Sequence, residues 1–128
     1  MVRVLLVDGD PRVREGLRVQ LQLEPGVRIV GEADSAPQAL AYARETCPDV
    51  VIIDVDQPGM DAIALTKEFS RLLPCSQILI LSIYDDDARR SLAMAAGAHA
   101  FVGKGSVEFF RDAFHEMMRS HAENHQNT

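Results

Sequence analysis

Three short runs made wholly of apolar residues, Val4 to Val7, Val50 to Ile53 and Ile78 to Leu81, constrain the fold more than any other feature of the chain. Apolar runs without alternation are how strands covered on both faces read, and parallel sheets are the sheets covered on both faces. Two weaker runs flank them. Val27 to Val30 is interrupted by Arg28, and Ala98 to Val102 carries His99, so each suits a sheet edge with one partly wet face. Helical spacing fills the intervals: Val13, Leu17 and Leu21; Leu40, Ala43 and Thr46; Ile63 through Leu72; Ala88 through Ala96; and Val107, Phe110, Phe114 and Met117. Five βα units follow in order. They predict an α/β fold, a doubly wound five-stranded parallel sheet of order 2-1-3-4-5 with helices on both faces, in which the first and third strands are neighbours.

A chain of 128 residues is enough for one buried core and one domain. Residues 1–120 are read as that domain and 121–128 as a polar tail. Nineteen acidic against thirteen basic residues leave a formal charge of -6, which disfavours direct contact with nucleic acid or an anionic membrane surface. No apolar run reaches the ~20 residues that cross a bilayer, and a strand pattern begins within three residues of Met1, so no export signal is expected. Cys47 and Cys75 form no CxxC motif. They are read as small buried hydrophobes in a reduced, cytoplasmic compartment.

Open parallel sheets bind ligands at the carboxyl ends of their strands, near the point where strand order reverses. That rule selects Asp8 and Asp10 after the first strand, Asp54 and Asp56 after the third, Ser82 after the fourth and Lys104 after the fifth. Asp8 and Asp54 end adjacent strands, and crowding two carboxylates is unfavourable unless a cation lies between them. Mg2+ takes oxygen ligands and is commonly held by one or two carboxylates with substrate phosphate oxygens. A carboxylate, a hydroxyl and an ammonium group converging on such a cation are equipped for phosphoryl transfer, with the carboxylate itself as a possible nucleophile. Lys104 is one of two lysines beside eleven arginines, and its compact charge is not reproduced by the planar fork of arginine.

The order VVIID at 50–54, VDQPGMD at 55–61, ILILS ending at Ser82 and GAHAFVGK at 97–104 resembles the receiver domain of bacterial two-component response regulators over nearly the whole chain. The resemblance implies a flavodoxin-like (βα)5 sandwich that is not itself an enzyme. It implies that Asp54 is the phosphoacceptor and a Mg2+ ligand, Asp8 a metal ligand, and Asp56 a ligand through its backbone carbonyl. It further implies that Ser82 and Lys104 hold phosphoryl oxygens, and that Ser82 with Phe101 forms the switch, the ring turning inward on phosphorylation. A histidine kinase or phosphotransfer protein is the implied donor. The face from Arg89 and Met94 to Phe109, formed by the fourth helix, fifth strand and fifth helix, is the implied surface for a second copy or an effector. The stretch DPRVREGLR resembles regulators whose output is a helix-turn-helix domain, so the implied role is regulation of transcription.

Gly9 stands where the family carries a second carboxylate, and Ile83 where it carries a small residue. Asp10 has two readings: a substitute metal contact, or the N-cap of a helix that starts at Pro11. Asp85 is read as the cap of the fourth helix, and His99 as solvated. Two rival functions remain. VLLVDGD resembles the first motif of haloacid dehalogenase-type phosphatases, but no acidic pair follows Lys104. The other rival is a degenerate receiver that binds partners without being phosphorylated, to which Gly9 and Ile83 point.

Overall fold

The computed structural model describes residues 1–55, 60–84, 86–103 and 111–119. The elements alternate: β1 (Val2–Val7), α1 (Pro11–Gln22), β2 (Val27–Ala33), α2 (Ala36–Thr46), β3 (Val50–Asp54), α3 (Ala62–Leu72), β4 (Gln77–Ser82), α4 (Asp87–Ala95), β5 (Ala100–Gly103) and a fifth helix, α5, over residues 111–119. All neighbouring strands pair in parallel, in the order β2-β1-β3-β4-β5. This is the order the apolar runs predict. β3 is buried along its whole length, whereas β2 at one edge is mostly half-buried, as Arg28 foreshadows.

Side chains alternate across the sheet and so build two cores. Leu5, Val7, Val51, Ile53, Ile78, Ile80 and Phe101 point to one face, where Ala39 and Ala43 of α2, Leu65 and Phe69 of α3 and Ala93 of α4 cover them. Val4, Leu6, Val50, Ile52, Leu79 and Val102 point to the other, under Leu21 of α1 and Phe114 and Met117 of α5. Burying a Leu, Ile or Phe side chain stabilises by about 1.5–3 kcal/mol, so these two layers fix the strand register.

The helices begin where short polar side chains satisfy the first free N–H groups. Asp10 caps α1 with Pro11 in the first turn, Ser35 caps α2, and Asp61 caps α3. α4 is capped by Asp86, whose carboxylate accepts from Arg89 N at 2.8 Å, one residue later than the sequence predicts; Asp85 lies outside the described residues. A second difference concerns the thiols. Cys47 and Cys75 are both exposed, not buried, because each sits where the chain leaves a helix for the surface. Cys47 is the C-cap of α2 in the left-handed conformation, with φ 46°, and Cys75 follows Pro74 in the turn closed by Ser76 N to Leu73 O. His99 is exposed as expected, yet its Nδ1 accepts the N–H of Ile78 at 3.0 Å and extends the β4–β5 ladder by one side chain.

Candidate functional site

Register brings the acidic residues together. Val7 pairs with Ile53, so Asp8 and Asp54 meet on the next rung, at the carboxyl edge where the chain order reverses. Asp54 in turn pairs with Leu81, which places Ser82 one step beyond it, and Ser82 pairs with Gly103. Asp8, Asp54 and Ser82 are no more than 3% exposed, although each lies at the end of its strand. A buried carboxylate needs partners or a cation to offset lost hydration. Asp8 Oδ1 accepts the Asp10 N–H at 2.8 Å, and Ser82 Oγ accepts the Tyr84 N–H at 3.0 Å, which orients the hydroxyl within the turn leaving β4.

Asp10 is occupied elsewhere: its Oδ1 accepts from Arg12 N at 2.9 Å, the helix-cap geometry. Gly9 brings no side chain. Among the described residues no group of three or more His, Cys, Asp or Glu is placed to hold a metal ion. Two buried carboxylates on adjacent strand ends nonetheless match the donor set of a hard divalent cation that keeps several waters. Asp56 and Lys104 lie outside the described residues, as do Phe109 and the tail from 121 to 128.

Phe101 is already inward, 5% exposed and part of the core that α3 and α4 cover. Arg90 of α4 holds it there from outside. Its guanidinium lies 5.1 Å from the ring centroid, and Nη1 donates to the Phe101 carbonyl at 3.2 Å.

Three arginines were not singled out by the sequence. Besides Arg90, Arg14 donates through Nη1 to the Asp8 carbonyl at 2.7 Å while its Nε lies 3.3 Å from Glu32, tying α1, β2 and the acidic edge together. Arg18 pairs with the same Glu32 at 3.0 Å. The available signal was positional: Arg14 and Arg18 stand four residues apart on α1, on the side that passes β2.

An open doubly wound sheet of this order, with two buried carboxylates and a buried hydroxyl on its carboxyl edge, defines the class of small flavodoxin-like signalling domains. Within that class the chain belongs to the response regulator receiver domain family, whose sequence profile matches residues 4–114. It is 36% identical over 106 residues to the transcriptional regulatory protein LiaR of Bacillus subtilis, covering 83% of this chain and 50% of LiaR. A LuxR-family two-component response regulator from Aurantimonas is 33% identical with a TM-score of 0.84, over 92% of this chain and 86% of that one. The receiver domain of the putative response regulator NarL from Mycobacterium tuberculosis is 32% identical with a TM-score of 0.81, over 91% of this chain and 96% of that one. The chain spans about half the length of curated relatives such as LiaR. The phosphatase reading of VLLVDGD falls, since the motif opens a receiver domain. No helix among the described residues is long and apolar enough to cross a membrane.

Proposed function

We propose that this chain is a phosphoacceptor switch of a two-component pathway, in which Asp54 receives a phosphoryl group from a histidine kinase or phosphotransfer protein. The observation that carries the reading is the meeting of buried Asp8, Asp54 and Ser82 on one strand edge. A carboxylate oxygen of Asp54 attacks phosphorus, the phosphorus–nitrogen bond of the donor phosphohistidine breaks, and an acyl phosphate forms. Asp8 and Asp54 would hold Mg2+, with the Asp56 carbonyl as a further ligand; when bound, the ion neutralises charge on the phosphoryl oxygens. Ser82 and Lys104 contact the same oxygens. Ser82 must then turn from Tyr84 N, so its reorientation couples the acceptor to the turn that precedes α4.

The relay ends on the face of α4, β5 and α5, where Met94 of α4 is 44% exposed. A second copy or an effector docks there, and the output is transcriptional control in the cytoplasm through a further domain. The protein acts as a switch, not as an enzyme on a diffusible substrate.

The test is intact-mass spectrometry after incubation with a small acyl phosphate, with and without Mg2+. One phosphoryl group should be gained in Mg2+ and lost in Asp54→Asn. A gain that survives Asp54→Asn but disappears in Asp8→Asn overturns the assignment. A second reading, a receiver that works unphosphorylated, is favoured by Gly9, by the commitment of Asp10 to Arg12 N, and by the inward ring of Phe101. No mass gain under any of these conditions selects it.

A further inference from the structure

The first turn of α1 runs against its own electrostatics. Helix amino-termini favour acidic side chains, yet α1 carries none there and instead places Arg12 and Arg14 close to its start. For Arg14 the reason lies outside the helix. Side chains lean toward the amino-terminus of their helix, and Arg14 N bonds back to the Asp10 carbonyl at 3.0 Å, so the guanidinium reaches over the cap to β1. There Nη1 donates to the Asp8 carbonyl at 2.7 Å. Glu32 steadies the other end of the fork. It shares a rung with Leu6, whose side chain lies in the layer under α1, so its carboxylate faces that helix. It sits 3.3 Å from Arg14 Nε and 3.0 Å from Arg18, one turn further on.

The carbonyl that Arg14 holds belongs to the peptide joining Asp8 to Gly9, and glycine constrains a neighbouring peptide less than any other residue. The stretch Asp8-Gly9-Asp10 therefore takes its orientation from contacts. Asp8 N donates to the Ala33 carbonyl at 2.9 Å, Asp8 Oδ1 accepts from Asp10 N at 2.8 Å, and Arg14 fixes the carbonyl. Gly9 brings no carboxylate and Asp10 caps α1, so Asp8 is the acid that this loop delivers to the edge shared with Asp54. An error in its aim falls directly on a bound cation. The planar fork of arginine spans a carbonyl and a carboxylate together, which the point charge of lysine does not.

We propose that Arg14 is a positioning residue for the Mg2+ site: by holding the peptide between Asp8 and Gly9, it keeps the Asp8 carboxylate aimed at the edge where Asp54 stands. The inference rests on the function proposed above only in naming that cation. Its sign separates it from a plain charge effect. Two arginines against one glutamate leave the cluster with one positive charge, so removing Arg14 for its charge alone would tighten a cation, whereas removing it as a support loosens one.

The test titrates the whole chain with Mg2+ by calorimetry and measures the 15N order parameter of the Gly9 amide without metal. Groups that orient a metal ligand from behind carry roughly 10–100-fold in affinity. Arg14→Met should weaken Mg2+ binding by about tenfold and lower the Gly9 order parameter from the rigid value of about 0.85 toward about 0.6. Arg14→Lys, which keeps the charge and guards against loss of the fold, should fall between. Arg18→Met leaves Asp8 untouched and should bind Mg2+ as the wild type does. Adding Gly9→Ala to Arg14→Met should restore part of the affinity by stiffening the same peptide; the described glycines with positive φ are Gly26 and Gly97, so alanine is allowed at position 9. Unchanged or tighter Mg2+ binding in Arg14→Met, an unmoved Gly9 order parameter, or equal weakening in Arg18→Met would each overturn the proposal. Neither readout involves phosphoryl transfer, so these failures are separable from failure of the acceptor assignment. A wild type that takes up no Mg2+ defeats the cation site itself, whereas the same failures in a wild type that binds it defeat only the role of Arg14.

Discussion

Replacing Arg90 with methionine keeps an unbranched side chain of similar length and removes the charge from above Phe101. The loss can be worked from two contacts. A guanidinium 5.1 Å from the ring centroid at an exposed position contributes about 0.5–1 kcal/mol. The 3.2 Å bond to the Phe101 carbonyl is charge-assisted but long and reached by water, so about 0.5–1 kcal/mol is the appropriate share. Arg90→Met should therefore cost about 1–2 kcal/mol of stability, and the same amount applied to the balance between two packings of the α4–β5 face shifts their ratio by roughly 5–30-fold. A double-mutant cycle with Phe101→Leu isolates the ring contact, because the carbonyl bond is unaffected by the second change. Urea unfolding of the four proteins, with the slope unchanged between them, should return a coupling of about 0.5–1 kcal/mol. Coupling below the ~0.3 kcal/mol that independent sites show, with Phe101 ring resonances unmoved in Arg90→Met, refutes the idea that Arg90 holds the ring.

Gly9→Asp should tighten Mg2+ binding by roughly tenfold in a calorimetric titration, since it adds a carboxylate beside Asp8; equal affinities would mean that Asp10 already reaches the ion and leaves Arg12 N. Gly97→Ala should lower Tm by roughly 6–20 °C, about 2–5 kcal/mol, because φ is +114° and a Cβ there would stand 1.8 Å from Ser70 Oγ. An unchanged Tm would contradict that packing. Although His99 is exposed as a residue, its ring is partly desolvated where Nδ1 meets Ile78 N, which holds the imidazole below its usual pKa, so the unfolded chain binds the proton more readily than the folded one. Stability should be full above about pH 6.5 and fall as pH drops through the window below it, and a His99→Gln variant, compared by urea midpoint at about pH 7.5 and about pH 5.5, should show a smaller fall.

The strand order was legible because burial on both faces leaves short runs of Val, Ile and Leu bounded by turn residues, and the acidic edge was legible because Asp8, Asp54 and Ser82 each terminate such a run. What failed to show was set by distances along the surface. Asp85, Asp86 and Asp87 are chemically interchangeable as caps, and only the phase of α4 against β5 selects Asp86. Cysteine composition alone suggested burial, but the position of Cys47 at a left-handed helix end depends on where α2 stops, which the apolar spacing locates only to within a residue or two. Arg14 and Arg90 reach across elements with long flexible side chains, so sequence offers a direction for them but no partner.

The strand sequence β2-β1-β3-β4-β5 also sets a gradient of amide protection. β1, β3 and β4 each have a strand on both sides, whereas β5 pairs only with β4, over the four rungs from Leu79↔Ala100 to Ser82↔Gly103. Opening that margin exposes fewer apolar contacts than separating β1 from β3, so its N–H groups should exchange with solvent through local openings well below the global unfolding free energy. A small stimulus at Asp54 thus has a soft margin to act on two strands away, while the central strands stay shut.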